Sequence, residues 1–178
     1  MSGPRGYHAG MNATPLLSRI VAALRECSLE AVLIGNAAAA MHGAPVTTLD
    51  FDFMFRDTPV NLRKLKRVAV ELDAMILRPF YPVSKLYRIV DDATGLQADF
   101  MPVIHGIRSF EGLKARSVEK SVGGRPVFIA TLADIIASKA AAGRERDLAV
   151  LPVLRQTQAA LEERGAGGPG RKRKGRRP

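Results

Sequence analysis

The chain has 178 residues, a length typical of one domain with at most a short appendage. Hydrophobic residues make up 47% and charged residues 25%, the balance of an ordinary soluble globular protein. No apolar run approaches the roughly 18 residues that a membrane span requires, so we expect no membrane partner. The single cysteine, Cys27, excludes a disulfide framework within the chain and favours a reducing, cytoplasmic compartment.

The net charge of +10 is unevenly distributed. Six of the excess positive charges fall between residues 171 and 177, inside a Gly- and Pro-rich stretch, 165–178, that has no acidic residue. This composition predicts a disordered basic tail, and the Gly- and Pro-containing start predicts a flexible leader over 1–12. One domain over 13–164 remains. The tail either improves solubility or contacts phosphates without regard to sequence.

Helical and strand patterns alternate along the first half of the domain, and hairpins follow. Apolar residues at helical spacing predict a helix over about 15–27, and short apolar runs predict strands at 30–34 and 49–55. The remaining predicted elements are helices at 37–41 and 61–73, a strand at 75–77, hairpins at 86–90/96–101 and 116–121/126–129, and a helical part over about 131–164. Pro152 should split or kink the last helix. The order favours an α+β fold, a mixed sheet with flanking helices.

Three aspartates stand inside otherwise apolar strands. Asp50 and Asp52 are one residue apart, so strand alternation places both carboxylates on one face, opposite Phe51. Asp99 lies in the later strand, and the three carboxylates converge if the two strands are neighbours. Such oxygen ligands favour Mg²⁺ or Mn²⁺. Alternatively, either member of the pair simply ends a strand at the surface.

A turn precedes this pair of carboxylates. Gly35 and Asn36 join an apolar strand to a helix start, where free backbone N–H groups favour an anion such as a triphosphate. A plain strand–helix turn would have the same sequence.

Taken together, these motifs resemble the polymerase-β-type nucleotidyltransferase superfamily. The resemblance rests on Gly35-Asn36, a spacer of thirteen residues, the Asp50-Phe51-Asp52 motif and the distal Asp99. The stretches over 30–55 and 127–154 look like the bacterial branch that includes toxin-type, abortive-infection nucleotidyltransferases.

The resemblance implies a role for each matching residue. Asp50, Asp52 and Asp99 would bind the metal ions, and Asp99 would also help to deprotonate the attacking hydroxyl. The residues implied to contact the nucleotide are Gly35, Asn36, Lys139, Arg144 and Asp147. Two alternatives without a functional role stay open: Lys139 is an ordinary exposed helix residue, and Arg144 and Asp147 form a surface ion pair.

The implied activity is transfer of a nucleoside monophosphate from an NTP to a hydroxyl, on RNA and in particular tRNA if the toxin resemblance holds. A cognate antitoxin or toxin would then be a partner. Two departures from the family pattern, Asn36 in place of Ser or Gly and Val46 in place of Arg, keep alternatives open. The chain could be a degenerate binding module or an antitoxin, or a nucleic-acid-binding protein that acts through its tail.

Overall fold

A computed structural model describes residues 13–48, 50–77 and 85–166. The predicted leader over 1–12, Leu49 and the tail from 167 onward lie outside these residues. The helices are α1 Ala13–Glu26, α2 Gly35–Met41, α3 Pro59–Glu71, α4 Phe110–Arg116, α5 Leu132–Ala142 and α6 Glu145–Ala166. The strands are β1 Ala31–Ile34, β2 Phe51–Phe55, β3 Met75–Leu77, β4 Tyr87–Asp91, β5 Leu96–Met101, β6 Val118–Val122 and β7 Arg125–Ile129.

The strands form one seven-stranded mixed sheet in the order β3-β4-β5-β2-β1-β7-β6. Strand β2 runs parallel to β5, and β1 runs parallel to β7, while the other neighbours are antiparallel. Helix α1 contacts α3 and the β6–β7 hairpin, whereas α2 contacts α5, which in turn contacts α6. The predicted α+β class is therefore confirmed.

The core is built on the central strands β1, β2 and β5. Phe53 and Phe100 are fully buried and stack with their ring centroids 5.1 Å apart, and Phe55 meets Phe100 edge-on at 6.2 Å. These aromatic contacts join β2 to β5 on the face away from the aspartates, because strand side chains alternate between faces. The core packing thus fixes the strand pair that carries the site.

Two local predictions differ from the structure. Helix α4 was not predicted, although Ser109 caps it by accepting a hydrogen bond from the Gly112 amide. Its seven residues and the internal glycine give too little periodicity for a helix signal. Helix α6 continues through Pro152, so of the two predicted effects the split is wrong, and the kink stays a prediction. The proline removes a single backbone hydrogen bond, and burial of Leu151 and Leu154 holds the helix together. No helix among the described residues is long and apolar enough to cross a membrane.

Candidate active site

The three predicted carboxylates meet at one point on the sheet. Asp50 directly precedes β2, Asp52 lies within it, and Asp99 is the register partner of Asp52 on the parallel strand β5. One carboxylate oxygen from each residue lies within 4.8 Å of those of the other two. The strand adjacency that the sequence left conditional is therefore present, and the carboxylates form a single cluster.

Burial and the charge of the neighbouring carboxylates both act on Asp52. Its pKa is raised from 3.8 to about 6, first because burial removes water from the carboxylate and then because Asp50 and Asp99 add negative charge. Lys139 and Arg146 oppose this rise. Such a cluster of oxygen donors suits a hard divalent cation, which would relieve the repulsion. The donor set therefore fits Mg²⁺ or Mn²⁺.

Gly35 packs directly against this cluster. It is the first residue of α2 and directly follows Ile34, which pairs with Asp52, and it has a φ of +67°, a backbone conformation that L side chains rarely adopt. A Cβ at this position would lie 2.5 Å from Oδ2 of Asp52. Both the backbone turn and the close approach of the carboxylate therefore require glycine.

Asn36 follows at the start of α2 and is only weakly held. Its amide nitrogen donates to the carbonyl of Thr47 at 3.4 Å, while its buried Oδ1 has no hydrogen-bond partner among the described residues. A buried polar oxygen without a partner is destabilising. The residue that departs from the family pattern thus has an unsatisfied polar atom at the edge of the site.

Lys139, Arg144 and Asp147 form an ion cluster where α5 passes into α6. Nζ of Lys139 lies 3.0 Å from Oδ1 of Asp147, and these side chains are only 12% and 13% exposed. Nε of Arg144 lies 3.3 Å from Oδ2 of Asp147, but the Arg144 side chain is 53% exposed. Lys139 is therefore not an ordinary exposed helix residue. The Arg144–Asp147 pair does have the i,i+3 geometry of a surface ion pair, which was the alternative to a nucleotide contact.

All eight residues singled out in the sequence line one cleft of about 850 Å³. Arg146 lines it as well, and sequence analysis missed this residue. Its neighbours Arg144 and Asp147 were singled out because they match a motif, whereas Arg146 falls at a variable position between them. The cleft therefore brings together the carboxylates, the Gly35 turn and a cationic wall.

Comparison with known proteins gives fold likeness only. No family model and no curated protein matches the chain. The lincosamide antibiotic adenylyltransferase LnuA, with lincomycin bound, is 12% identical with a TM-score of 0.59, covering 80% of this chain and 96% of that one. The antibiotic-resistance factor ANT(2'')-Ia, in complex with adenylyl-2''-tobramycin, is 16% identical with a TM-score of 0.57, covering 87% and 99%. The Thermotoga maritima protein TM1012, a candidate nucleotidyltransferase, is 17% identical with a TM-score of 0.54, covering 89% and 99%.

The chain has the nucleotidyltransferase fold. The likeness agrees with the predicted superfamily at the level of fold, and it extends over nearly the full length of these three proteins. The toxin-type branch stays a prediction.

Within this nucleotidyltransferase fold, Arg88 occupies a position that sequence analysis did not single out. It lies on β4 and pairs in register with Asp99 on β5. Its Nε and Nη2 donate to Oδ1 and Oδ2 of Asp99 at 2.8 and 2.7 Å. The hydrogen bond to Asp99 is also the main cause of the raised pKa of Arg88. The sequence did contain a signal for this contact. Arg88 is a charged residue in an apolar strand of the predicted 86–90/96–101 hairpin, and such a residue favours an oppositely charged partner on the facing strand.

Proposed function

We propose that the chain is a metal-dependent nucleotidyltransferase that transfers a nucleoside monophosphate from an NTP to a hydroxyl acceptor. The observation that carries this proposal is the convergence of Asp50, Asp52 and Asp99 beside the Gly35 turn in one cleft. A carboxylate cluster next to a cationic wall is what a metal–triphosphate complex requires.

Each carboxylate has a role in this proposal. Asp50 and Asp52 hold Mg²⁺ or Mn²⁺, which when bound neutralises charge on the triphosphate. Asp99 accepts a hydrogen bond from the attacking hydroxyl and receives its proton. The hydroxyl oxygen forms a bond to the α-phosphorus as the bond to pyrophosphate breaks, and the protein contributes positioning more than covalent chemistry.

The cationic wall is the proposed contact for the triphosphate. Lys139, Arg144 and Arg146 all line the cleft. The carboxylate of Asp147, which pairs with Lys139 and Arg144, offsets only one of these three positive charges. This excess of positive charge favours an anion, and arginine forks and lysine ammonium groups are common phosphate ligands. In this arrangement Asp147 positions Lys139. Gly35 and Asn36, at the start of α2, contact the phosphates as well.

Charge pairing in the cleft favours RNA, and tRNA in particular, as the acceptor. Asp50 and Asp52 are assigned to the metal ion, and every other carboxylate that lines the described cleft is paired with a cation. No carboxylate of the cleft is then left to bind the ammonium groups of a polycationic small molecule. These pairs are Asp99 with Arg88, Asp134 with Arg116, and Asp147 with Lys139 and Arg144. The six basic residues between 171 and 177 would add contacts to an RNA backbone.

A toxin role, with a cognate antitoxin in the cytoplasm, follows from the resemblance of the two motif stretches. Induced expression should then arrest bacterial growth, whereas expression of the Asp52→Asn variant should not. Equal growth with both proteins would argue against a toxin.

A small-molecule acceptor is the second candidate. It is favoured by the full-length fold likeness to ANT(2'')-Ia, an antibiotic-resistance factor, and to LnuA, a lincosamide antibiotic adenylyltransferase. A catalytically degenerate binding module or antitoxin is the alternative that Asn36 keeps open.

One labelling experiment separates these functions. The protein is incubated with each α-labelled NTP and Mg²⁺, with total RNA or with hydroxylated antibiotics. We expect label in RNA, and no label with a double Asp50→Asn, Asp52→Asn variant. Asp92→Asn, in the exposed turn after β4, is the matched control. Label that survives the double substitution would refute the site, and label only in a small molecule would replace the RNA assignment.

Ligand binding tests the degenerate alternative separately. An active enzyme should be stabilised by Mg²⁺ and its NTP through mass action. A chain whose thermal unfolding responds to neither would count against the enzyme and favour the binding module.

A further inference from the structure

Arg88 donates one hydrogen bond to each carboxylate oxygen of Asp99, and this contact limits how many ions the cluster can hold. Both carboxylate oxygens accept from one guanidinium, at 2.8 and 2.7 Å. The Asp99 side chain is 7% exposed, so water has little access to the carboxylate, whereas the Arg88 side chain is 36% exposed and the guanidinium stays partly in contact with solvent. Such a bidentate pair is the strongest form of arginine–carboxylate contact.

The pair is imposed by the sheet. Arg88 and Asp99 are direct register partners on adjacent antiparallel strands, so their side chains project from the same face at neighbouring positions. The buried neighbours Tyr87 and Ile89 on β4, and Ala98 and Phe100 on β5, fix this register from the other face. Arg88 therefore reaches Asp99 without any rearrangement of the backbone.

A second divalent ion would compete with this guanidinium for the same oxygens. An ion bound to Asp99 would lie about 2.1 Å from a carboxylate oxygen. The Arg88 nitrogen lies 2.7 or 2.8 Å from each of those oxygens. The two cations would then be no more than about 5 Å apart in a partly buried site, where charge repulsion is strong.

We propose that Arg88 takes the place of the second divalent ion, so that the chain holds one ion between Asp50 and Asp52 while Asp99 keeps its arginine. This inference rests on the proposed function, because it concerns the same metal site. It makes Arg88 a positioning residue that sets ion number and holds Asp99 towards the acceptor hydroxyl. Activation of that hydroxyl then depends on Asp99 itself.

The number of bound ions tests this directly. Mn²⁺ is titrated into the nucleotide-free full chain, and the free ion is measured by electron paramagnetic resonance. We expect one bound Mn²⁺ in the wild type and two in Arg88→Gln, with the second ion bound at least about tenfold more tightly than any second ion in the wild type. Arg116→Gln is the matched control, because Arg116 also forks onto a largely buried aspartate, Asp134, and should leave the count at one.

Each outcome decides between the possibilities. Two ions in the wild type would overturn the inference and leave the proposed function standing. One ion in both the wild type and a folded Arg88→Gln would also overturn it, since Arg88 would then exclude nothing. No ion in either protein would count against the proposed metal chemistry as a whole. If circular dichroism shows Arg88→Gln unfolded, the wild-type count of one or two decides alone.

Discussion

Replacing Asp52 with asparagine should stabilise the metal-free chain at neutral pH while it removes a carboxylate that the proposed chemistry needs. Asp52 is held among Asp50, Asp99 and the Gly35 turn, and its pKa is raised to about 6 from 3.8. Above that pKa, the folded chain carries a charge that burial and two neighbouring carboxylates disfavour. Asparagine has almost the same shape and carries no charge.

The size and sign of the effect follow from this shift. A raised carboxyl pKa means that the folded state binds the proton more tightly than the unfolded state. The associated stability is complete below about pH 4 and is lost as the pH rises through about 6. A shift of about two units corresponds to about 3 kcal/mol. In a domain of this size, that should raise the Tm of the variant by roughly 5–10 °C at neutral pH.

Thermal and urea unfolding of chelator-treated protein will measure this. We expect Asp52→Asn to gain stability at about pH 7.5 and to lose most of that gain at about pH 4.5, where the wild type binds the proton instead. Asp92→Asn, with the same chemical change in an exposed turn, should be near neutral. Added Mg²⁺ should stabilise the wild type more than the variant. A variant that is no more stable than the wild type at neutral pH would refute the reasoning.

Three further predictions concern the neighbouring motifs. Gly35→Ala should destabilise the chain by about 2–4 kcal/mol in urea unfolding, because the new Cβ meets a carboxylate oxygen at 2.5 Å. Gly43 also has a positive φ, +90°, but a Cβ there meets nothing within 4 Å, so Gly43→Ala should lose about 1 kcal/mol; equal losses would contradict the contact. Lys139→Met should lose about 1–3 kcal/mol because it removes the shielded partner of a buried carboxylate, and Arg144→Met should lose under about 1 kcal/mol; the reverse order would show that the exposed arginine holds the cluster. Asn36→Ser should raise the free energy of unfolding of the metal-free chain by about 1 kcal/mol in urea unfolding, because it removes a buried amide oxygen that has no partner among the described residues; a loss of stability would contradict this reasoning.

Local pattern was sufficient to predict most elements and the carboxylate motif. Strand alternation put Asp50 and Asp52 on one face, since successive side chains point in opposite directions whatever the fold. Local sequence patterns located all seven strands within two residues of their bounds, and the largest difference is that β2 and β6 each begin two residues after the predicted start. The elements that failed, α4 and the continuous α6, depend on a cap and on packing that compensates for Pro152.

The sequence by itself determined which residue types stand at the site: the Asp-x-Asp pair, the glycine turn before it and a later aspartate in an apolar strand. Only the tertiary structure decided their partners. It places β5 beside β2, pairs Arg88 with Asp99, and pairs Lys139 with Asp147. The physical reason is that side-chain periodicity is a property of the local backbone, whereas strand order and ion pairing depend on which distant surfaces pack together.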